Sequence, residues 1–221
     1  MVPAARPHIE PAMPVPTRPA KDTPKSRRTR TRILDQAARL VREIGYANAN
    51  NAVIAEAAGL TRGAMLYHFP TRESLIDGLV EHLAAQADAL FADAARNRAP
   101  GADVAEHAID AYWRLLHTPP LTAMRELRSA ARTDAAVRER LAPFIAAFDR
   151  AEPESVMALF QPGSTPRGQA GRDLARFLLE GLANADLTYN GEVRAQRLIG
   201  MLKRIVRVLN RKGEVSDIWP D

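Results

Sequence analysis

The sequence predicts an all-α chain with a small helix-turn-helix head and a larger helical body, and three observations carry that reading. From Lys25 onward apolar residues recur at three-and-four spacing, with no alternating apolar/polar run long enough for a strand. Gly and Pro punctuate these stretches at helix-length intervals. Positive charge is concentrated at one end: residues 21–72 hold ten Lys/Arg against four Asp/Glu, whereas residues 73–221 hold 19 against 21. Such asymmetry implies a basic module that meets a polyanion, joined to a near-neutral body with another task.

Composition bounds the remaining choices. A chain of 221 residues that is 46% hydrophobic can bury a proper core. It has no Cys, which excludes disulfides and thiolate chemistry and suits a reducing cytoplasm. No run approaches the roughly 18 apolar residues of a membrane helix, and the N-terminus has no apolar h-region, so a cytoplasmic protein without a membrane partner is expected. Residues 1–24 carry seven of the sixteen prolines and no apolar period, which predicts a disordered Pro-rich tail. The head is then expected over residues 25–72 and the body over residues 73–221.

The first helix is expected from about Ser26 to Ile44, burying Ile33, Leu34, Ala37, Leu40, Val41 and Ile44 and ending at Gly45. A second, from about Asn51 to Ala58, has Asn50 as its N-cap and Ile54, Ala57 and Ala58 inward. Gly59 breaks the chain, and Thr61 can cap a short third helix. Two short helices about a three-residue turn containing Gly form a helix-turn-helix pattern. In its second helix, "TRGAMLYHF", helical geometry sends Met65 and Phe69 inward and leaves Arg62, Ala64, Tyr67 and His68 outside. Arg suits a guanine edge, while the small Gly63 and Ala64 let the helix approach bases closely.

These residues resemble a known family. The run from Thr31 to Phe69 is similar, without a gap, to the DNA-binding domain of the tetracycline-repressor-like (TetR) transcriptional regulators. The likeness rests on Ile33-Leu34 with Ala37-Ala38, on Gly45-Tyr46, on Ile54-Ala55 with Ala57-Ala58-Gly59, and on Tyr67-His68-Phe69. It implies a homodimer of helical subunits that binds a pseudo-palindromic operator in double-stranded DNA as a repressor and is released by a small-molecule effector. Groove-facing positions then fall on Arg62, Gly63, Ala64, Tyr67 and His68, and backbone-contacting positions on Asn50, Thr61 and Arg72. Ala64 and Leu66 stand where many members have Thr and an aromatic, and Asn51 where an apolar residue is usual, so base preference is not transferable.

The basic segment Lys25 to Arg32 adds Arg27, Arg28 and Arg30 as expected phosphate contacts. In the body, a fourth helix starts near Thr71, others run from about Asp103 to His117 and from Pro119-Pro120 to about Thr133, and a further segment from Asp134 to about Phe160 is interrupted at Pro143 and Pro153. After a Gly/Pro-rich loop at Gln161–Gln169, two amphipathic helices, roughly Gly171 to Tyr189 and Glu192 to Asn210, end the chain. Pairs of such helices from two subunits can form a four-helix bundle. Trp113, His117 and Phe148 are the candidate effector contacts. No metal site, cofactor or reaction is expected: the histidines at 8, 68, 82, 107 and 117 lack metal spacing, and no GxSxG, P-loop or GxGxxG occurs. The alternative to a regulator is a helical protein-interaction module whose basic head binds acidic partners without reading sequence.

Overall fold

A computed structural model describes residues 23–150, 154–160, 166–185 and 189–210, and every regular element among them is helical. The head comprises α1 (Pro24–Ile44), α2 (Asn51–Ala57) and α3 (Arg62–His68). The body comprises α4 (Arg72–Arg96), α5 (Val104–Leu115), α6 (Pro119–Ala130), α7 (Ala135–Asp149), α8 (Glu154–Phe160), α9 (Pro166–Asn184) and α10 (Gly191–Leu209). α4 packs against α1, α5, α6, α7 and α8, and α6 also packs against α1.

Local chemistry sets the helix starts. Thr23 caps α1, its hydroxyl accepting from the Ser26 N–H (3.1 Å), and Pro24 occupies the first helical position, where a missing N–H costs nothing. The head therefore begins inside the stretch expected to be tail; residues 1–22 lie outside the described residues. Thr71 and Ser74 cap α4 reciprocally, and Asp103 and Asp134 cap α5 and α7. Pro143 does not break α7, because it and Glu139 are exposed, so water can serve the carbonyl that the proline leaves without a donor. The expected loop at Gln161–Gln169 is shorter: α9 already starts at Pro166, and residues 161–165 lie outside the described ones.

Two cores form, and they do not divide after Arg72. The first joins Ile33, Leu34, Ile54, Met65 and Phe69 of the head to Leu75, Ile76, Leu79 and Leu83 of α4, and to Ala123, Leu127, Val137 and Leu141 of α6 and α7. The second is built on Phe91, Tyr112, Leu159, Leu179, Ile199 and Leu202. α9 turns Ala175 and Leu179 into this second core, and ends at Asn184 rather than Tyr189. On its other side Leu174 is 38% exposed and Phe177 61%, and Gly181 is exposed as well. α10 repeats the pattern, with Ile199, Leu202 and Val206 buried and Val193 and Leu198 outside.

Gly78 of α4 has no room for a side chain. A Cβ there would sit 2.8 Å from Phe69 Cε1 and 3.2 Å from Arg30 Nη2, whereas one on Gly63 would meet nothing within 4 Å. Gly78→Ala is expected to destabilise the fold by about 1–3 kcal/mol through overpacking. Gly63→Ala, in open helix, should gain roughly 0.5–1 kcal/mol. Urea unfolding of the two variants beside the parent checks both signs.

Candidate nucleic-acid interface and effector cavity

The turn between α2 and α3 is held by its backbone. Gly59 takes φ +62°, a region that favours glycine, and the Leu60 N–H donates to the Ala55 carbonyl (2.9 Å). Asn50 Oδ1 accepts from the Ala52 and Val53 N–H groups (3.0 and 3.2 Å), and Thr61 Oγ1 from that of Ala64 (3.1 Å). Both expected phosphate-contacting side chains thus also cap the two helices, keeping the Asn50 amide NH₂ and the Thr61 hydroxyl proton as outward donors.

Met65 and Phe69 are fully buried, which fixes the rotation of α3 about its axis. Its other side presents Arg62, Gly63, Leu66 and Tyr67, all exposed, with Ala64 and His68 half-buried at the flank. The His68 ring meets Tyr67 edge-on at 5.3 Å between centroids. Burial, then the charge of Arg30, lowers the His68 pKa below the usual histidine value, so near neutrality the ring is uncharged and presents one donor and one acceptor. Leu66 belongs to this edge but was absent from the expected contact set; its place one turn after Arg62 is the signal that marks it.

Two arginines expected on phosphates also make contacts within the head. Arg30 Nη1 donates to the His68 carbonyl (3.3 Å), and its guanidinium lies 4.3 Å from the centroid of Phe69. Arg72 donates from Nη1 to the Ala49 carbonyl (2.6 Å), from Nη2 to the Tyr46 carbonyl (3.1 Å) and from Nε to the Tyr46 hydroxyl (3.3 Å), while stacking 4.4 Å from the Tyr46 centroid. The physical reason is similar in both: carbonyls at a helix end, as for His68, or in a connection, as for Tyr46 and Ala49, have no helical partner, and an aromatic face next to them favours a planar cation. Arg27 and Arg28 remain exposed on the first turn of α1. Arg30, three and two residues on, links that end of α1 to the end of α3.

The body encloses a cavity of about 660 Å³ bounded by α4 to α9. Phe91, Tyr112 and Phe148 form its aromatic wall, with ring centroids 5.6 to 6.3 Å apart. Phe148 is the one of the three expected effector contacts that lines it. One residue rotates a helix by about 100°, so Tyr112 faces the cavity and Trp113 does not. Trp113 instead packs its ring 4.5 Å from that of His117, whose Nδ1 lies 2.8 Å from the Trp113 carbonyl oxygen.

The polar end of the cavity is a network that nothing in the sequence pattern announced, because it links residues up to 68 positions apart. Glu180 accepts from the Tyr112 hydroxyl (2.8 Å), from Arg176 Nε (2.9 Å) and from Arg128 Nη1 (3.0 Å), and Arg176 also pairs with Asp149. Burial alone would raise the Glu180 pKa, but the Arg176 hydrogen bond, the Arg128 charge and the Tyr112 hydrogen bond outweigh it and hold the carboxyl below its usual range. Burial, with Glu180 beside it, pushes the Tyr112 hydroxyl well up, so it stays a neutral donor. Among the described residues no group of three or more His, Asp or Glu is placed to hold a metal ion, and no helix is long and apolar enough to cross a membrane.

Comparison with known proteins places this geometry. Residues 33–79 match the family model of bacterial regulatory proteins, tetR family. Over 62 residues the chain is 39% identical to the HTH-type transcriptional repressor KstR2 of Rhodococcus jostii (strain RHA1), a match spanning 28% of this chain and 30% of that protein. Among solved structures, the multidrug binding protein EbrR complexed with imidazole superposes with a TM-score of 0.54 at 22% identity, covering 78% of this chain and 93% of that one. A TetR-family member from Streptomyces coelicolor A3 gives 0.56 at 21% identity, covering 79% and 97%. The two structures share the fold of this chain across head and body.

A pH dependence follows from His68. Its pKa is lowered on folding, so its contribution is fully present above the unfolded-state value and is lost as pH falls through the folded one. Stability is expected to fall between pH 7 and pH 5, and His68→Gln to reduce that fall; urea unfolding across the range measures it.

Proposed function

We propose, on the premise that the head of this chain is that of a TetR-family regulatory protein, that it is a ligand-responsive transcriptional repressor. It binds a pseudo-palindromic operator as a homodimer and lets go when an effector fills the body cavity. The observation that carries the reading is the outward edge of α3, with Arg62, Gly63, Leu66 and Tyr67 exposed, in a head whose α1 also exposes Arg27 and Arg28. An edge of this width enters a major groove, and exposed guanidiniums suit base edges and phosphates. KstR2 is a repressor and EbrR a ligand-binding protein of this fold, which favours the same division of labour here. The family is one of regulators rather than enzymes. We place no reaction in the chain and assign it to the cytoplasm.

The dimer reading is supported by the apolar face that α9 and α10 turn outward. Leu174, Phe177, Val193 and Leu198 are exposed there, and a second copy would cover them about a two-fold axis, spacing the two heads for successive grooves. Communication between cavity and head has a route in α6. Leu127 and Ala123 are buried in the core shared with the head, while Arg125 and Arg128 line the cavity. A ligand that prefers one setting of α6 biases the head through α1, a coupling typically of about 1–3 kcal/mol.

Selection of a bound duplex from a random library tests the regulator reading: one pseudo-palindromic sequence should be enriched and bound far more tightly than random DNA at moderate salt. Arg62→Ala should cost that duplex about 1–3 kcal/mol while leaving random DNA little affected. Equal, weak binding to every duplex would favour the interaction-module alternative. Salt titrations separate the arginines. Arg27→Gln with Arg28→Gln should flatten the slope of log K against log salt by about two, and Arg30→Gln should weaken binding with the slope kept. Phe177→Glu should give a folded monomer by sedimentation that no longer binds the selected duplex.

A further inference from the structure

We infer, resting on the regulator reading above, that the effector is an organic anion whose apolar body lies among the cavity's aromatic rings and whose carboxylate is held by Arg125 and Arg132. Leu121, Arg125 and Arg128 follow one another on one side of α6, Arg132 stands in the turn just past its end, and all four line the cavity. Three guanidiniums are therefore delivered to one wall. Among the described residues, Arg128 is the only one of the three with an ion pair, to Glu180; Arg125 donates to the Leu116 carbonyl (3.3 Å).

The carboxylates of the same cavity are differently placed. Glu180 already takes Tyr112, Arg128 and Arg176, so its charge is answered from three sides. Asp88 accepts from the buried Ser155 hydroxyl. Glu126 follows Arg125 directly and so projects about 100° round the helix from it, toward the edge of the lining. An incoming cation would lie against the arginine wall, whereas a carboxylate finds planar donors there in a partly closed, low-dielectric space that strengthens the pairing. The opposite wall, with Phe91, Phe144, Phe148 and Ile145, asks for an apolar body, and about 660 Å³ is room for one of drug or acyl-chain size.

Decanoate, decan-1-ol and decylammonium share a chain and differ in head charge, and calorimetric titration of the full-length protein with each reads the preference. Decanoate should bind about tenfold or more tightly than decan-1-ol, in line with the strength of charge-assisted hydrogen bonds, and decylammonium more weakly still. Arg125→Gln with Arg132→Gln should remove that advantage while leaving decan-1-ol affinity unchanged. Arg132→Gln alone, at an exposed position, should lose part of it without touching the fold, and Arg125→Lys should restore part of what Arg125→Gln loses. Decylammonium binding as tightly as decanoate would point to Asp88 or Glu126 and overturn the inference, as would no saturable decanoate binding or a double variant with parental affinity. Binding of the selected duplex without any probe is measured in parallel. If the duplex binds and the anion preference is absent, the inference alone fails. If no duplex binds, the regulator reading fails whatever the probes do.

Discussion

The head depends on the contact at the end of α3, where the buried Phe69 ring is covered by the Arg30 guanidinium and faced by Gly78. Three helices meet in that space: α1 supplies the cation, α3 the ring and a carbonyl, and α4 the absence of a side chain. A helix of seven residues is too short to hold itself in water, so the orientation of α3 must come from tertiary contacts. Met65 and Phe69 on one side, with Arg30 drawing in the last carbonyls, supply that orientation and leave the opposite side outward. Arg72 does for the α1–α2 connection what Arg30 does for α3, tying Tyr46 and Ala49 to the start of α4.

The body is organised around a different kind of contact. Burying Arg176 and Glu180 is costly unless the charges are paired and hydrogen-bonded, and here Tyr112, Asp149 and Arg128 add partners to the pair. The network joins α5, α6, α7 and α9 around one end of the cavity. Phe148 lies beneath the Arg176 guanidinium at 4.8 Å, so the charged and aromatic walls are one continuous surface rather than two. Disturbing any member would reach the others.

α6 belongs to both regions. Its apolar residues are shared with the head's core and its arginines with the cavity, a consequence of helical periodicity placing two chemistries on two sides of one rod. The first half of α4 likewise packs with the head and its second half with the body. A division at Arg72 follows the chain but not the packing, and the head rests directly on the elements that would sense a ligand.

Helix class, several helix starts and most inward residues of the head were legible in the sequence, because they follow from local rules: Asn50, Thr61, Thr71, Asp103 and Asp134 are capping side chains, and Met65 and Phe69 are inward by spacing, although Ile44, expected inward, is 40% exposed at the end of α1. The resemblance of residues 31–69 rested on the same local features. What the sequence left open depended on partners distant along the chain. Which partners Arg30 and Arg72 find within the head is decided by carbonyls up to 38 positions away. Whether Tyr112 or Trp113 faces the cavity turns on the rotation of α5 against its neighbours, which apolar periodicity defines only to about one residue. The two apolar sides of α9 look alike in sequence, and only packing shows that Leu179 is enclosed and Phe177 is not. Local propensity and spacing determined the elements and their inward faces; tertiary contact alone decided which charges are spent inside the molecule and which remain to meet another.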